Sequence, residues 1–353
     1  MNLRASAVLL LVVGVVGVLG ATSAGAAALR APFIGDGGDD QRAVDLLRRS
    51  AAAMSSTSYS GTRVLSAWGR DSATTVLVDV EHVAGQGTRL SMRGGGIADD
   101  TATFLAAGED GQGHTLGVQM FDLLTESYAV SLGPADSVAG RSSRVVEVSR
   151  GDSLAARLWI DDRSGLLLRR EVFDHAGRLV RESTFIDVDV EDGAPRFMAH
   201  LPPVPPESDD QGVDVDRRPA LEAEGWDCPG QAGAMRLVGI EVMERTGAVH
   251  MTYSDGLTRM SVFEQRGSLD SESVRGFETL RLGDQVVNVR EGMPTYAVWQ
   301  EDGLVFTVVT DGPLDTVAGV VASEPVSRAP EPDFWERVAG GMTRLGDWAT
   351  PLV

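Results

Sequence analysis

The sequence has few of the residue types on which disulfide-linked proteins and enzymes depend. Lysine is missing, since all 31 basic residues are arginine, and Cys228 is the only cysteine among 353 residues. A lone cysteine excludes an intramolecular disulfide. Its surroundings, "EGWDCPGQ", contain no histidine that could act as a base. This favours an incidental thiol in a loop over a nucleophile.

The common catalytic and phosphate-binding motifs are missing as well. The sequence has no His-Glu-x-x-His, no Gly-x-Ser-x-Gly and no Gly-x-x-x-x-Gly-Lys, and without lysine it has no Ser-x-x-Lys. The acidic run "DVDVEDG" (187–193) alternates with valine, which is typical of a strand with a solvated acidic face rather than of a calcium loop. We therefore predict a protein that is not an enzyme and has no cofactor and no metal.

The net charge and the amino-acid composition limit the kinds of partner that the protein can bind. The formal net charge of -20 argues against a nucleic-acid partner, because neutralising phosphates requires clustered cations. With 43% hydrophobic residues, the chain can bury one large core or two modest ones.

The first residues have the pattern of an export signal. A charged start precedes a long apolar run that ends in Ala24-Gly25-Ala26, which predicts a signal peptide over residues 1–26. The uncharged stretch 5–29 is also long enough to span a bilayer if it is not cleaved, so an uncleaved N-terminal anchor is the alternative. Both interpretations place the body of the protein outside the cytoplasm, in a periplasm-like space or the cell envelope.

The first half of the remaining sequence predicts one helix followed by strands. In "DDQRAVDLLRRSAAAMSS" (39–56), apolar residues recur at helical spacing. Short segments rich in β-branched residues follow, and their short connections predict antiparallel pairing. In the stretch 157–188, the turns Asp-Asp-Arg-Ser-Gly and Asp-His-Ala-Gly join three consecutive strands. We predict a large domain over residues 39–200.

The second half changes character. Residues 201–232 are rich in proline and acidic residues, which predicts a linker that becomes ordered near Trp226. Residues 233–326 predict a small α+β domain with hairpin turns at Ser254-Asp255-Gly256 and Glu301-Asp302-Gly303, and a helix that begins at Pro313. Residues 327–353 predict an amphipathic tail.

An ordered series of short motifs resembles the MucB/RseB family. The series comprises Ala139-Gly140-Arg141, Leu158-Trp159, Asp161 and Gly165-Leu166-Leu167-Leu168. In addition, "YSGTRVL" is similar to the start of the family pattern, and "MTYSDGLTRMSVFEQ" with "AVWQEDGLVFTVVTDGPLDTVAGVVASEP" is similar to the family's small C-terminal domain. The resemblance extends from about Ala43 to Pro325. The segment "RGGGIADDTATFLAAGEDGQGHTLG" (93–117) departs from the family pattern.

The resemblance implies a fold and a function. The fold is mainly β with α+β: an N-terminal unclosed antiparallel β-barrel of the LolA kind packed on a helix, plus the small C-terminal domain. The function is that of an extracytoplasmic regulator that binds the outward-facing segment of a transmembrane anti-sigma factor, shields it from proteolysis and is released by a lipidic stress signal. The alternative is a lipid or lipoprotein carrier of the LolA type. Contact with a membrane is expected only through an uncleaved N-terminal segment or the C-terminal tail.

Two sets of residues are candidates for binding. An antiparallel sheet packed on one helix can leave an apolar cavity for a lipid or acyl chain. Residues predicted to face that cavity are Val64, Trp68, Leu77, Phe104, Met120, Leu123, Trp159 and Phe185. Residues predicted to contact the anti-sigma factor are Tyr253, Asp255 and Trp299 in the small domain.

Overall fold

A computed structural model describes residues 37–84, 87–93, 103–106, 118–190, 215–243 and 246–321. The described chain forms an N-terminal unit (37–190) and a C-terminal unit (215–321), each built on one antiparallel sheet. The predicted signal peptide, the first part of the predicted linker and the predicted tail lie outside the described residues. Among the described helices, none is both long and apolar enough to cross a membrane.

The N-terminal unit contains two helices and nine strands. Its helices are α1 (Gly37–Ser56) and α2 (Val118–Ser127). Its strands are β1 (Tyr59–Trp68), β2 (Ala73–Val83), β3 (Gly87–Arg93), β4 (Thr103–Ala106), β5 (Ala129–Val138), β6 (Arg141–Arg150), β7 (Ser153–Asp161), β8 (Leu167–Phe173) and β9 (Leu179–Val190).

These nine strands form an open sheet in the order β4-β3-β2-β1-β9-β8-β7-β6-β5. Every pairing is antiparallel, and within the described residues β4 and β5 do not pair with each other, so the sheet is unclosed. Helix α1 packs against β5, β7 and α2. The apolar face of α1 is buried, as predicted for a helix that packs on the sheet: Leu47, Ala51 and Met54 lie in the core of this unit.

The predicted three-strand stretch is confirmed as β7, β8 and β9. Gly165 and Gly177 have φ values of 82° and 73°, the left-handed conformation that tight turns need. Trp159 is 6% exposed, and its neighbours Leu158 and Ile160 are fully buried. Both faces of β7 are therefore covered, as the sequence predicts.

Helix α2 corrects the expectation that only strands follow α1. In "VQMFDLLTES", Phe121 and Leu124 are buried three residues apart, which is helical rather than alternating spacing. So short an apolar run does not distinguish a helix from a strand by itself. Met120 and Leu123 consequently lie on a helix.

The described residues of the C-terminal unit form two α-helices, one short 3₁₀-helix (Val215–Arg217) and eight strands. Its α-helices are α3 (Arg218–Ala223) and α4 (Leu314–Val321). Its strands, in chain order, are β10 (Gln231–Ala232), β11 (Met235–Val242), β12 (Val249–Ser254), β13 (Arg259–Arg266), β14 (Glu278–Leu282), β15 (Gln285–Arg290), β16 (Thr295–Glu301) and β17 (Leu304–Thr310).

Its sheet has the order β10-β11-β12-β13-β17-β16-β15-β14. One core joins this sheet to Val317 of α4 and to Leu221 of α3. Helix α3 lies inside the predicted linker and upstream of Trp226, so regular structure begins earlier than expected. The mainly β, two-sheet fold class is confirmed, whereas the exact domain boundaries stay a prediction.

Candidate functional site

The two predicted hairpin turns of the C-terminal unit have opposite environments. Asp302 and Gly303, between β16 and β17, are exposed. Asp255 and Gly256, between β12 and β13, are buried, and Asp255 is only 4% exposed. Hairpin turns normally lie at the surface. This one is buried because the N-terminal unit covers it, and we call residues 254–258 the junction turn.

The junction turn is held by its own side chains. Asp255 Oδ1 accepts hydrogen bonds from the backbone N–H groups of Leu257 (3.0 Å) and Thr258 (2.8 Å). Ser254 Oγ donates to the Thr258 carbonyl and accepts from the Gly256 N–H. Such side-chain bonds to nearby backbone fix the shape of a turn.

The second carboxylate oxygen of Asp255 contacts the N-terminal unit. The Tyr128 hydroxyl donates to Asp255 Oδ2 at 2.5 Å, and Arg150 donates to the same oxygen at 3.2 Å while lying 4.3 Å above the Tyr128 ring. Burial and the nearby Asp255 carboxylate raise the pKa of Tyr128. The phenol therefore stays protonated and remains a donor to Asp255.

The apolar part of the junction turn packs on α2. Leu257 belongs to the core of the N-terminal unit, and Ser254 Oγ lies 3.2 Å from the Met120 sulfur. Gly256 lies so close to α2 that an added Cβ would be 2.1 Å from the Leu124 backbone nitrogen. Only glycine allows this approach.

Arginines on the inner face of the large sheet form the rest of the contact. Arg170 on β8 donates to the Leu257 carbonyl at 2.5 Å and lies 3.4 Å from Asp311. Arg181 on β9 donates to Thr295 Oγ1 and to the Thr310 carbonyl. Both arginines are buried, and burial lowers the pKa of Arg181.

A third buried arginine, Arg63, faces the same side of the sheet. It lies 4.0 Å above the Phe185 ring and donates from one terminal nitrogen to the Leu167 carbonyl. Within the described part of the chain, its Nε has no hydrogen-bond partner. Burial lowers the pKa of Arg63, and the charge of Arg170 adds to this. The inner face is thus polar and positively charged where it meets the C-terminal unit.

Exposed ion pairs surround the buried contact. Arg70 donates to Glu291 at 2.6 Å and to Glu278 at 2.8 Å. His175 lies 2.9 Å from Asp315. Exposed pairs of this kind contribute little free energy, so the buried contacts carry most of the association between the two units.

The structure places the predicted cavity residues in different environments. Trp159 and Phe185 are both buried, with the Trp159 Nε1–H donating to Asp136 at 2.8 Å, but the strand pairings put them on opposite faces of the sheet. Met120 and Leu123 are partly buried on α2, and Phe104 lies on β4. Whether any of these residues contacts a lipid stays a prediction.

The structure places Val64, Trp68 and Leu77 on β1 and β2, and their contact with a lipid stays a prediction. Val64 pairs directly with Leu77, and their chain neighbours Leu65 and Val76 pack on the core. Because side chains alternate along a strand, Val64 and Leu77 face away from that core. Trp68 and Leu77 are 37% and 38% exposed.

All three residues predicted to contact the partner are buried. Asp255 lies in the junction turn. Tyr253 and Trp299 line one pocket of the C-terminal unit, where the Tyr253 hydroxyl donates to the Pro229 carbonyl. Their contact with an anti-sigma factor stays a prediction.

Sequence reasoning missed the buried arginines. Arg170 shares a strand face with Leu168 and Val172, which are both buried. A charged residue at an apolar position of an alternating strand was therefore the available signal. Its partners, Leu257 and Asp311, are far away in sequence and could not be inferred.

Cys228 lies in a loop, as predicted, but its thiol is fully buried. Burial raises its pKa to about 12, with further contributions from nearby carboxylates such as Glu264. Because the thiolate is the reactive form, we expect no labelling by a thiol reagent in mildly alkaline buffer and one equivalent of labelling after unfolding in urea. Rapid stoichiometric labelling of the native protein would contradict this assignment.

Within the described ranges, no group of three or more His, Cys, Asp or Glu side chains is placed to hold a metal ion. The arrangement at the junction turn is one of recognition: hydrogen-bond donors and acceptors from two units meet in a buried contact.

Several solved structures are similar to this chain, each at under 25% identity. The chain is similar to MucB in the MucA/MucB complex of Pseudomonas aeruginosa, with 21% identity, 79% of this chain and 96% of that chain covered, and a TM-score of 0.46. A crystal structure of MucB alone gives 22% identity, the same coverage and a TM-score of 0.47.

A LolA superfamily protein from Nitrosomonas europaea is 8% identical over 77% of this chain and 91% of its own, with a TM-score of 0.19. No curated protein sequence matches the chain. Residues 100–209 match the model of the MucB/RseB N-terminal domain. The resemblance predicted from the sequence is therefore confirmed over residues 100–209, which are similar to the N-terminal domain of the MucB/RseB family.

Proposed function

We propose that this protein is an extracytoplasmic negative regulator of a sigma-factor pathway. It binds the outward-facing segment of a transmembrane anti-sigma factor and shields that segment from regulated proteolysis. The observation that carries the proposal is the match of residues 100–209 to the MucB/RseB N-terminal domain. Structures of MucB in complex with MucA are similar to this chain.

The contact between the two units supports a regulator that changes state. A ligand releases a partner only if it binds two states of the protein with different affinities. The junction turn is a suitable two-state element, because its docking depends on a few buried polar bonds around Asp255 and Arg170. A signal that displaces the turn would change how the two units present their surfaces to the anti-sigma factor.

The charge of the inner face indicates the kind of signal. Arg63, Arg170 and Arg181 are buried there, and Asp311 is the acidic side chain near the latter two. A lipidic signal with an anionic head group would compete with Asp255 and Asp311 for these arginines. We propose an anionic amphiphile as the releasing signal.

Calorimetric titration tests the central proposal. The protein without residues 1–26 is titrated with the extracytoplasmic segment of the anti-sigma factor encoded in the same genome. We expect micromolar or tighter binding, on the order of -8 kcal/mol, and slower cleavage of the bound segment by its protease. Absence of binding by folded, lipid-free protein would reject the regulator.

A lipid or lipoprotein carrier of the LolA type is the second candidate, and the unclosed sheet of the N-terminal unit is the observation that favours it. A carrier of acyl chains needs an apolar lining, whereas three buried arginines occupy this inner face. Native mass spectrometry separates the two candidates. Lipid bound to most molecules would support the carrier, and an empty protein would support the regulator.

A further inference from the structure

A glutamate interrupts the apolar face of a central strand in the C-terminal unit. Strand β13 presents Met260, Val262 and Glu264 to the core, and Glu264 is only 1% exposed. One carboxyl oxygen accepts the Asp227 N–H at 2.9 Å. The other, Oε1, has no hydrogen-bond partner among the residues that the structure describes. A buried polar atom without a partner costs free energy, so this position calls for an explanation.

Glu264 lines a pocket of the C-terminal unit. The buried part of the pocket is formed by β12, β13, β16 and β17, and the half-buried mouth by the loop before β10 and the end of α4. Trp299 and Phe306 stack in the wall with ring centroids 5.0 Å apart and planes 6° apart. The pocket is lined by Asp227, Pro229, Met251, Tyr253, Val262, Glu264, Trp299, Glu301, Phe306, Val320 and Val321.

The lining has one sign of charge. Asp227, Glu264 and Glu301 are acidic, and the lining contains no basic residue. Aromatic faces beside carboxylates favour a cation, because the ring quadrupole and the carboxylate both attract positive charge. The pocket therefore suits a cationic group with hydrogen-bond donors.

The size of the pocket favours a small cationic group over a large one. The cavity volume is about 20 Å³. A cavity of about 10–15 Å³ holds one water molecule, so the pocket accepts a water-sized head group. An ammonium head has that size and three donors, whereas a planar guanidinium is larger.

We propose that this pocket, centred on Glu264 Oε1, is a binding site for a primary ammonium group. The sequence contains no lysine, so no side chain of this protein supplies the group, and we propose that it comes from another molecule, either a free amine or a lysine side chain of a protein partner. The proposal rests on the C-terminal unit alone and does not depend on the proposed function.

The ionisation of Glu264 gives the site a distinctive pH dependence. Burial raises the pKa of Glu264 to about 8; the Asp227 N–H lowers it, the Asp227 carboxylate raises it, and Arg266 lowers it. Other titratable groups around it are Cys228, Tyr253 and Glu301. Because an ammonium group binds the ionised carboxylate, its affinity rises with pH through this range, while an alkylamine stays mostly protonated until about pH 10.

The test uses n-butylamine hydrochloride, with n-butanol as the uncharged analogue of the same shape. The whole protein is labelled with 5-fluorotryptophan, and the ¹⁹F resonance of Trp299 is assigned by Trp299→Phe. We expect a saturable shift with butylammonium at millimolar concentration, about tenfold tighter at pH 9 than at pH 7, and no shift with butanol.

Glu264→Gln is expected to abolish both the shift and its pH dependence. Glu241→Gln, at an exposed carboxylate on β11, is the matched control and should bind normally. If Glu264→Gln does not fold, ¹³C titration of the Glu264 carboxyl in the wild-type protein replaces it, and butylammonium should lower that pKa.

Three results would overturn the proposal. An equal response to butanol would mean an apolar pocket, an equal response to potassium chloride would mean an inorganic cation site, and no response to any probe would mean a pocket for water only. The two sources of ammonium are compared with Nα-acetyl-lysine methylamide. Tighter binding than butylamine supports a lysine of a protein partner, and weaker binding supports a free amine.

Discussion

Gly256→Ala is expected to separate the junction turn from α2, with a loss of unfolding free energy several times that of the matched change Gly303→Ala. Both glycines occupy hairpin turns and have nearly the same positive φ, 85° and 80°. Alanine in this conformation costs roughly 1–2 kcal/mol at either position. The backbone strain is therefore matched between the two variants.

The surroundings of the two glycines differ completely. A Cβ at Gly303 meets nothing within 4 Å, whereas one at Gly256 lies 2.1 Å from the Leu124 nitrogen and 2.5 Å from the Met120 carbonyl oxygen. These are backbone atoms of α2, which cannot move aside as a flexible side chain would. We expect a further loss of about 3 kcal/mol for Gly256→Ala, because the turn must withdraw and remove Leu257 from the core.

Urea denaturation gives the difference in unfolding free energy, and small-angle X-ray scattering reports any separation of the two units. An increase in the radius of gyration for Gly256→Ala, with none for Gly303→Ala, is the expected pair of results. Equal destabilisation by the two substitutions, without expansion, would show that the contact with α2 contributes nothing beyond backbone strain.

Local patterns in the sequence account for most of the fold. The three strands predicted in the stretch 157–188 are observed as β7, β8 and β9, and the turn glycines Gly165 and Gly177 have the positive φ that tight turns need. These features depend on alternation and on φ, which are properties of neighbouring residues. Helix α2 escaped prediction because two turns of apolar spacing also fit a short buried strand.

The candidate site could be predicted only in part, because it depends on contacts between distant residues. The sequence predicts the turns at Asp255 and Asp302 equally well, yet only the first is buried. That difference comes from the packing of Tyr128 and Arg150 onto Asp255, more than 100 positions apart. Both turns contain the sequence Asp-Gly, and this sequence does not distinguish a turn that packs against the other unit from a turn that is exposed to solvent.

Asp255→Ala is expected to destabilise the contact between the two units by about 3 kcal/mol. The substitution removes the acceptor of the Tyr128 hydroxyl, of Arg150 and of the two N–H groups that close the junction turn. Removing one partner of a buried charged pair costs roughly 3–5 kcal/mol, and the lower end applies here because Arg150 is partly exposed and can regain water.

Three further variants separate the contributions to this loss of free energy. Asp255→Asn keeps an acceptor for the turn but removes the charge that faces Arg150, so it should lose less than Asp255→Ala. Tyr128→Phe removes one hydrogen bond to a charged group and should lose about 1.5–3 kcal/mol. Asp302→Ala changes the exposed turn and should lose under about 1 kcal/mol. Unfolding free energies from urea denaturation rank the four proteins.

The same variants connect the contact to the proposed regulation. If displacement of the junction turn is how a signal releases the anti-sigma factor, Asp255→Ala should weaken binding of the anti-sigma segment without any lipid present, while Asp302→Ala should bind like the wild type. If docking of the turn is the only link to partner binding, the loss of binding free energy cannot exceed the docking free energy that the variant loses. A folded Asp255→Ala protein that binds the segment with wild-type affinity would mean that the docked turn and partner binding are not coupled.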